Sequence, residues 1–210
     1  DPVYEPAFYD CYHQIDDLLG EVRRRLDDDT TLLLMSDHGF CTLRQEVYIN
    51  NWLRDAGYLS FRSDEPKSVA DLDPSSRAYS LDPGRIFINL RGREPDGCVS
   101  PGEEYEKLRD ELAAGMLELR DPDSGEVMIE KVLRREEIYH GRQFERAADL
   151  IAVPYRGFDL KGAVNRLALT FKGNELVGMH TYDDAMLYVE GREFKRGGFS
   201  VVDVMPTILN

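Results

Sequence analysis

The sequence has few cysteines and no long apolar run, and each shortage excludes a class of protein. The three cysteines, Cys11, Cys41 and Cys98, contain no CxxC pair and do not form a disulfide framework. Reduced thiols in a cytoplasm are the plain interpretation, and we therefore predict a cytoplasmic location. No apolar stretch approaches the roughly 20 residues that a membrane-spanning helix needs. The chain also shows no internal repeat and no low-complexity segment.

Basic residues are outnumbered, because 26 Lys and Arg stand against 40 Asp and Glu and the formal net charge is −14. A surface this acidic repels phosphate backbones, so we predict no nucleic-acid partner. A small anionic substrate remains possible, since a bound metal ion can reverse the local field. The length of 210 residues and the 42% hydrophobic content are typical of one globular domain with a sizeable core.

The chain opens at Asp1-Pro2 without an initiator methionine or a signal peptide. We interpret this opening as that of a fragment or a processed product.

Apolar periodicity predicts the first helix and the first strand. Spacings of three and four residues predict an amphipathic helix over residues 6–26. Its buried face would consist of Phe8, Tyr12, Ile15, Leu19 and Val22. The continuous apolar run at residues 31–35 predicts a strand covered on both faces by helices, with Leu32, Leu33 and Leu34 nearly inaccessible.

A second long helix has a start signal, because Ser100, Pro101 and Glu103 stand in the order of a cap, a first-turn proline and a first-turn acid. Its buried stripe would be Tyr105, Leu108, Leu112 and Met116. We also predict a capped helix over residues 50–56, a helix from 203 to 209, and a polar excursion around 62–76. Strands are predicted at residues 85–89, 127–133, 150–153 and 185–189. This alternation of helices and strands predicts a layered α/β domain.

The predicted strand at 31–35 is followed by Asp37, His38 and Gly39. Ligands of α/β proteins gather at the carboxyl ends of strands, and a bend at the glycine would let both side chains turn toward one point. Carboxylate oxygen and imidazole nitrogen are suitable ligands for zinc or a similar divalent ion. Two other interpretations remain open for the motif by itself. Asp37 could cap a turn beside a surface His38, or Cys41 could be a nucleophilic thiol beside His38.

The other histidines differ in their contexts. His180 follows Gly178 and Met179, after a polar bend and before the predicted strand at 185–189. His13 lies within the amphipathic helix and His140 precedes a glycine in a turn, so we interpret both as structural. The pair formed by Glu136 and His140 has the spacing of helical ligands but has no third ligand in the sequence pattern.

Five segments occur in the order seen in the alkaline phosphatase superfamily, and together they span nearly the whole chain. The chain resembles most closely the type I phosphodiesterase/nucleotide pyrophosphatase branch of that superfamily. The segments are LLLMSDHGF, VYINNWLRDAGYL, IFINLRGREPDGCVSPGEEY, GMHTYDDAMLYVEG and VVDVMPTIL.

The resemblance implies an α/β fold with three layers and a mostly parallel central sheet flanked by helices, here incomplete. Residues 1–210 would be the C-terminal part of a single alkaline phosphatase-like catalytic domain. The resemblance also implies two divalent metal ions, most often zinc, with manganese or iron as alternatives. Asp37 and His38 would ligate one ion and His180 the other. The substrate would be a small phosphate ester or a nucleotide.

The same resemblance implies residues that the chain does not show. The family's threonine or serine nucleophile and its Asp-x-x-x-His pair have no counterpart, because no histidine here has an aspartate four residues before it. We expect them upstream of Asp1, and we expect this chain alone to be inactive, to bind metal weakly or not at all, and to self-associate through an exposed edge. Asp184 is a further departure, since the family often has glycine there.

Two classes of function follow. The first is a metal-dependent hydrolase of phosphodiester or pyrophosphate bonds, with phosphomonoesterases, sulfatases and phosphoglycerate mutases of the same superfamily as its near alternatives. The second is a non-catalytic binding or interaction module that retains the Asp-His pair without using it.

Overall fold

Helices and short strands alternate along the chain in a computed structural model that describes residues 2–166, 168–173, 175–191 and 200–209. The helices are α1 (Glu5–Arg25), α2 (Ile49–Asp55), α3 (Glu103–Leu117), α4 (Arg135–Ile138) and α5 (Val204–Leu209). The strands are β1 (Leu33–Met35), β2 (Gly39–Thr42), β3 (Gln45–Tyr48), β4 (Ala78–Leu81), β5 (Arg85–Ile88), β6 (Ile129–Arg134), β7 (Leu150–Pro154), β8 (Phe158–Lys161), β9 (Thr170–Phe171), β10 (Gly178–Thr181) and β11 (Leu187–Val189). No helix in the described part of the chain is long and apolar enough to cross a membrane.

The chain divides into two compact units. Unit 1 comprises Asp1–Gly39 and Thr181–Asn210, and unit 2 comprises Phe40–His180. Unit 1 contains α1, α5 and a two-stranded antiparallel sheet in which β1 pairs with β11. Unit 2 contains the four-stranded sheet β4-β5-β7-β6 and the three-stranded sheet β8-β3-β9, and β2 pairs with β10 in a further small sheet.

The hydrophobic core lies in unit 2. The α3 helix packs against β6 and β7, and its side chains Tyr105, Leu108, Leu112 and Met116 are buried as the periodicity predicts. The start of α3 differs from the prediction, because Gly102 occupies the N-cap position without a side-chain hydrogen bond. The backbone N–H of Ser100 instead donates to the Glu104 carboxylate at 2.9 Å.

The α2 helix is present and ends before Gly57, which has a φ of 79°. Asn50 does not cap it. Its side chain is buried and exchanges hydrogen bonds with the backbone of Ser80, at 2.8 Å and 3.0 Å. Its amide also donates to the carbonyl oxygen of Gly162 at 2.6 Å. Asn50 therefore ties α2 to β4 through a contact that crosses 30 residues of sequence.

The predicted burial of α1 is wrong, although the helix itself is confirmed. Phe8, Tyr12, Ile15 and Val22 are 59%, 60%, 48% and 37% exposed, and no residue of the helix is buried. The periodicity correctly identifies side chains that share one helical face. It carries no information about what covers that face, and within the described residues nothing buries it.

The predicted strand at 31–35 is shorter and less buried than expected. It forms β1, which pairs only with β11 in a two-stranded sheet. Leu32, Leu33 and Leu34 are half-buried rather than inaccessible, and Met35 is exposed. A two-stranded sheet has few neighbours on its faces, so a continuous apolar run was not sufficient to indicate a central strand.

The mixed α/β class is confirmed, but the three layers and the mostly parallel central sheet are not. Among the described pairs of named strands with assigned direction, only β3 with β8 is parallel. The physical reason lies in the connections. The strands β4 and β5 join through a short turn as a hairpin, which requires an antiparallel pair. The mostly parallel sheet that the resemblance implied would need crossover connections at such points. Residues 62–76 contain a 3-10 helix, Val69–Asp71, and a single antiparallel bridge from Leu72 to Phe61, in agreement with the predicted polar excursion.

Candidate functional site

The Asp-His pair lies in the loop between β1 and β2, at the carboxyl end of β1 as the sequence predicts. The Asp37 side chain is 82% exposed and the His38 side chain 37% exposed. The Oδ1 atom of Asp37 is 3.3 Å from Nε2 of His38. The two side chains therefore do turn toward one point, although they are adjacent in sequence.

The hydrogen bond at the other ring nitrogen assigns the tautomer of His38. Nδ1 lies 2.9 Å from the backbone carbonyl oxygen of Gly39. A carbonyl oxygen only accepts, so Nδ1 carries the proton and a neutral ring has its lone pair on Nε2. In that neutral form Nε2 and the Asp37 carboxylate would present lone pairs to each other, whereas a protonated ring would form an ion pair with Asp37. Such a contact is attractive when a proton or a cation lies between the atoms.

Gly39 serves this loop by allowing close approach rather than by a special backbone angle, since its φ is not positive. A Cβ atom there would lie 2.2 Å from the carbonyl oxygen of Asp183 and 2.4 Å from Oγ1 of Thr181. The hydroxyl of Thr181 donates to that same carbonyl oxygen at 2.8 Å. The glycine thus lets the loop after β10 pack directly on the backbone that carries Asp37 and His38.

His180 belongs to unit 2, where it is the third residue of β10 and is exposed. Its ring centroid is 6.0 Å from that of Phe40. The Phe40 ring also covers Gly178, where a Cβ atom would lie 2.3 Å from the ring. Gly178 therefore admits the aromatic ring, which lies beside His180.

The donor types and their spacing at the Asp-His pair fit a divalent metal. Two donors at about 2.0–2.2 Å from a tetrahedral zinc ion are roughly 3.3–3.5 Å apart, and the Asp37–His38 separation is 3.3 Å. The number of donors is smaller than a complete site needs, because zinc takes three or four protein ligands. Across the described residues, no group of three or more His, Cys, Asp or Glu side chains could hold a metal ion.

The three predicted metal ligands are therefore distributed over the two units, Asp37 and His38 in unit 1 and His180 in unit 2. The structure brings the first two together. That His180 lies near them remains a prediction. Glu136 is not a ligand partner of His140. Its carboxylate accepts from both terminal nitrogens of the buried Arg109, with Nη1 at 2.8 Å, and this contact lowers the pKa of Glu136 to about 2.

Sequence reasoning missed a buried acid in unit 2. Asp149 is fully buried and accepts hydrogen bonds from Arg93 at 2.7 and 2.8 Å, from the Tyr105 hydroxyl at 2.7 Å and from the Ile88 backbone at 2.7 Å. Burial, followed by the bond to Asp149, raises the pKa of Tyr105. Asp149, like Asp37, lies next to the end of a strand, since it directly precedes β7. The hydrogen bonds described above occupy both oxygens of Asp149 and give it a structural role.

The comparisons with known proteins agree with the order of the five segments. The family model of type I phosphodiesterase / nucleotide pyrophosphatase matches residues 2–183. No curated protein and no solved structure matches the chain significantly. The family consists of hydrolases that act on small phosphodiester or nucleotide substrates and generally use divalent metal ions. Since the match covers most of the sequence, the chain belongs to the type I phosphodiesterase/nucleotide pyrophosphatase family.

Proposed function

We propose that this chain contributes metal-binding residues to a hydrolase that cleaves phosphodiester or pyrophosphate bonds in small phosphate esters or nucleotides. The observation that supports it is the approach of the Asp37 carboxylate oxygen to Nε2 of His38 at 3.3 Å, which is the separation of two ligands on one divalent ion. Zinc, manganese or iron would be held by this pair, and His180 would contribute to a second ion. A metal in such a site stabilises developing negative charge and activates the attacking oxygen.

The residues of this chain have separate tasks in the proposal. Asp37 supplies the anionic oxygen and His38 supplies Nε2. The Gly39 carbonyl keeps Nδ1 of His38 protonated, and so keeps the ring in the tautomer that can ligate. The contact of Gly39 with Thr181 and Asp183 holds the loop in place. Because two adjacent donors do not complete a metal shell, we propose that the active polypeptide also includes the family's nucleophile and its Asp-x-x-x-His pair.

Metal binding can be tested without activity. Isothermal titration calorimetry of the 210-residue chain with Zn²⁺ should show weak binding that His38→Ala abolishes. His13→Ala is the matched control, since His13 lies on the exposed surface of α1, and it should leave the titration unchanged. Equal loss of binding in both variants would contradict the placement of the metal at the Asp-His pair.

Activity requires a second experiment on a polypeptide that contains the nucleophile and the Asp-x-x-x-His pair. It should hydrolyse bis-p-nitrophenyl phosphate with added zinc or manganese, and His38→Ala should abolish turnover. The 210-residue chain alone should be inactive. Preferential cleavage of p-nitrophenyl phosphate or p-nitrophenyl sulfate would indicate a monoesterase or a sulfatase instead. Metal-dependent turnover by the 210-residue chain alone would overturn our assignment of the missing groups.

A further inference from the structure

A cleft of about 450 Å³ lies in unit 2. None of its described lining residues belongs to the proposed metal pair. It lies between β5, the turn after α4 and the 3-10 helix Phe144–Arg146. Its lining consists of Arg85, Phe87, Tyr139, His140, Gln143, Phe144, Arg146, Ala147 and Ala148. The volume falls within the range of about 300–1,000 Å³ that is typical of small-molecule sites.

The charge of this cleft is opposite to that of the whole protein. The chain carries a net charge of −14, yet none of the described residues that line the cleft is an aspartate or a glutamate. Arg85 and Arg146 contribute two guanidinium groups and His140 an imidazole. Across the described ranges, neither arginine forms an ion pair with a carboxylate. Arginines gathered without acidic partners favour an anion, because a guanidinium matches phosphate oxygens with two parallel hydrogen bonds.

One of these arginines is held in a defined place. The Nε atom of Arg85 donates to the carbonyl oxygen of Asp82 at 2.6 Å, and Nη2 donates to the same oxygen, which leaves the edge formed by Nη1 and the second hydrogen of Nη2 for a ligand. Arg85 and Phe87 are two residues apart on β5, so both side chains lie on the same face of the sheet. A cation and an aromatic ring therefore line the cleft side by side.

Two of the aromatic rings that line the cleft pack on other side chains. The Phe87 ring stacks on Tyr79 with centroids 5.4 Å apart and planes at 12°. The guanidinium of Arg135, a residue with a 9% exposed side chain, lies 4.8 Å from the centroid of Phe144. Supported rings bind a planar group at a low cost in side-chain entropy. The acids near Arg135, Glu136, Glu145 and Asp149, pair with that arginine and not with the arginines of the lining.

From these contacts we propose that the cleft binds a nucleoside monophosphate, with the phosphate at Arg85 and Arg146 and the base between the aromatic walls. The proposal goes beyond the hydrolytic function and does not rest on the metal pair. It assigns a second, non-hydrolytic nucleotide site to unit 2.

Isothermal titration calorimetry of the 210-residue chain with AMP, in EDTA to remove metal ions, tests this assignment. AMP should bind saturably, and inorganic phosphate and adenosine should each bind at least about tenfold more weakly, because each fills half of the site. Arg85→Gln and Arg146→Gln should each weaken AMP binding by about tenfold. Arg142→Gln is the matched control, since Arg142 is an exposed arginine of the same loop that does not line the cleft.

Three outcomes would overturn the proposal. The first is no saturable AMP binding to the folded wild-type chain. The second is an equal loss in Arg142→Gln, which would show a nonspecific charge effect. The third is a loss of AMP binding in His38→Ala, which would place the nucleotide at the metal pair. Circular dichroism on each variant confirms that it is folded, so that lost affinity reports the site.

Discussion

Asp184 adopts a left-handed backbone conformation with a φ of 62°, in the loop that packs on Gly39. This conformation costs an L-residue roughly 1–2 kcal/mol, and glycine avoids that cost. Asp184→Gly should therefore exceed Asp184→Ala in free energy of unfolding by roughly 0.5–1 kcal/mol, after subtraction of the extra chain entropy of glycine. Comparison of two variants that both lack the carboxylate isolates the backbone term. Urea unfolding followed by circular dichroism measures it.

The same pair of substitutions at Asp64 is the control, because Asp64 is exposed and has no positive φ. There the glycine variant should be no more stable than the alanine variant. If Asp184→Gly and Asp184→Ala unfold at the same urea concentration, the left-handed turn is not under strain.

The pairing of Glu136 with the buried Arg109 makes the free energy of unfolding depend on pH in the acidic range. The hydrogen bonds from Arg109 lower the pKa of Glu136 from 4.5 to about 2. A carboxylate with a depressed pKa stabilises the fold above its unfolded-state value and loses that contribution as the pH falls through the folded-state value. The urea midpoint should therefore decrease between about pH 4.5 and pH 2, and this part of the decrease should be smaller in Glu136→Gln.

Glu136→Gln should also be less stable than the wild type at pH 7, because it removes the main partner of a guanidinium whose side chain is 2% exposed. Glu118→Gln, at an exposed position beside α3, is the matched control and should follow the wild-type pH curve. If the urea midpoint of Glu136→Gln changed with pH between 4.5 and 2 as it does in the wild type, the assigned role of the Glu136–Arg109 pair would be contradicted.

Among the elements, the two glycines inside long helices provide opposite tests of packing. In α1, a Cβ on Gly20 would meet only the end of the Arg24 side chain, at 3.8 Å. Gly20→Ala should stabilise the protein by roughly 0.5–1 kcal/mol through helix propensity. In α3, a Cβ on Gly115 would lie 2.6 Å from the Trp52 ring. Gly115→Ala should destabilise by about 1–3 kcal/mol despite the same gain in propensity.

Thermal unfolding of both variants by circular dichroism distinguishes the two effects. Stabilisation by Gly115→Ala would mean that Trp52 moves at little cost and that the α2–α3 contact is loose. Destabilisation by Gly20→Ala would show that α1 is covered on that side in solution.

The elements also show what the sequence could predict. The helix α3 was predicted with its buried stripe, because its periodicity and its covering sheet both lie in one continuous unit. Strands such as β3, with the mixed sequence Gln45–Tyr48, were missed because strand pairing depends on distant partners such as β8. The Asp-His pair could be identified as a candidate metal site from the sequence, because its two residues are adjacent. The need for Gly39 could not, because it arises from contact with Asp183 and Thr181 far along the chain.

For the whole molecule, the exposed face of α1 predicts self-association. The side chains of Phe8, Tyr12 and Ile15 are 59%, 60% and 48% exposed on one helical face. Contiguous apolar surface of this kind drives association in water. Light scattering coupled to size-exclusion chromatography should show species larger than the 24.1 kDa monomer. Substitution of both Tyr12→Glu and Ile15→Glu should shift the protein toward the monomer.

The double substitution of His13→Glu and Gln14→Glu adds acid on the other side of the same helix and is the matched control. It should leave the size distribution unchanged. A wild-type chain that is monomeric at high concentration would contradict this prediction. An equal effect of both double variants would indicate general charge repulsion rather than a specific apolar face.

The order in which the units can form follows from their boundaries. Unit 2 is one continuous segment, whereas β1 precedes it and β11 follows it in the sequence, and these two strands of unit 1 pair Leu33 with Val189. During synthesis, β1 must remain without its partner strand β11 until all of unit 2 has emerged, so unit 2 has the first opportunity to fold. Loop-closure entropy rises by only about 0.6 kcal/mol for each doubling of the intervening length. Over evolutionary time, unit 2 could therefore lengthen or shorten with little effect on the β1–β11 pairing, whose two strands flank it in the sequence.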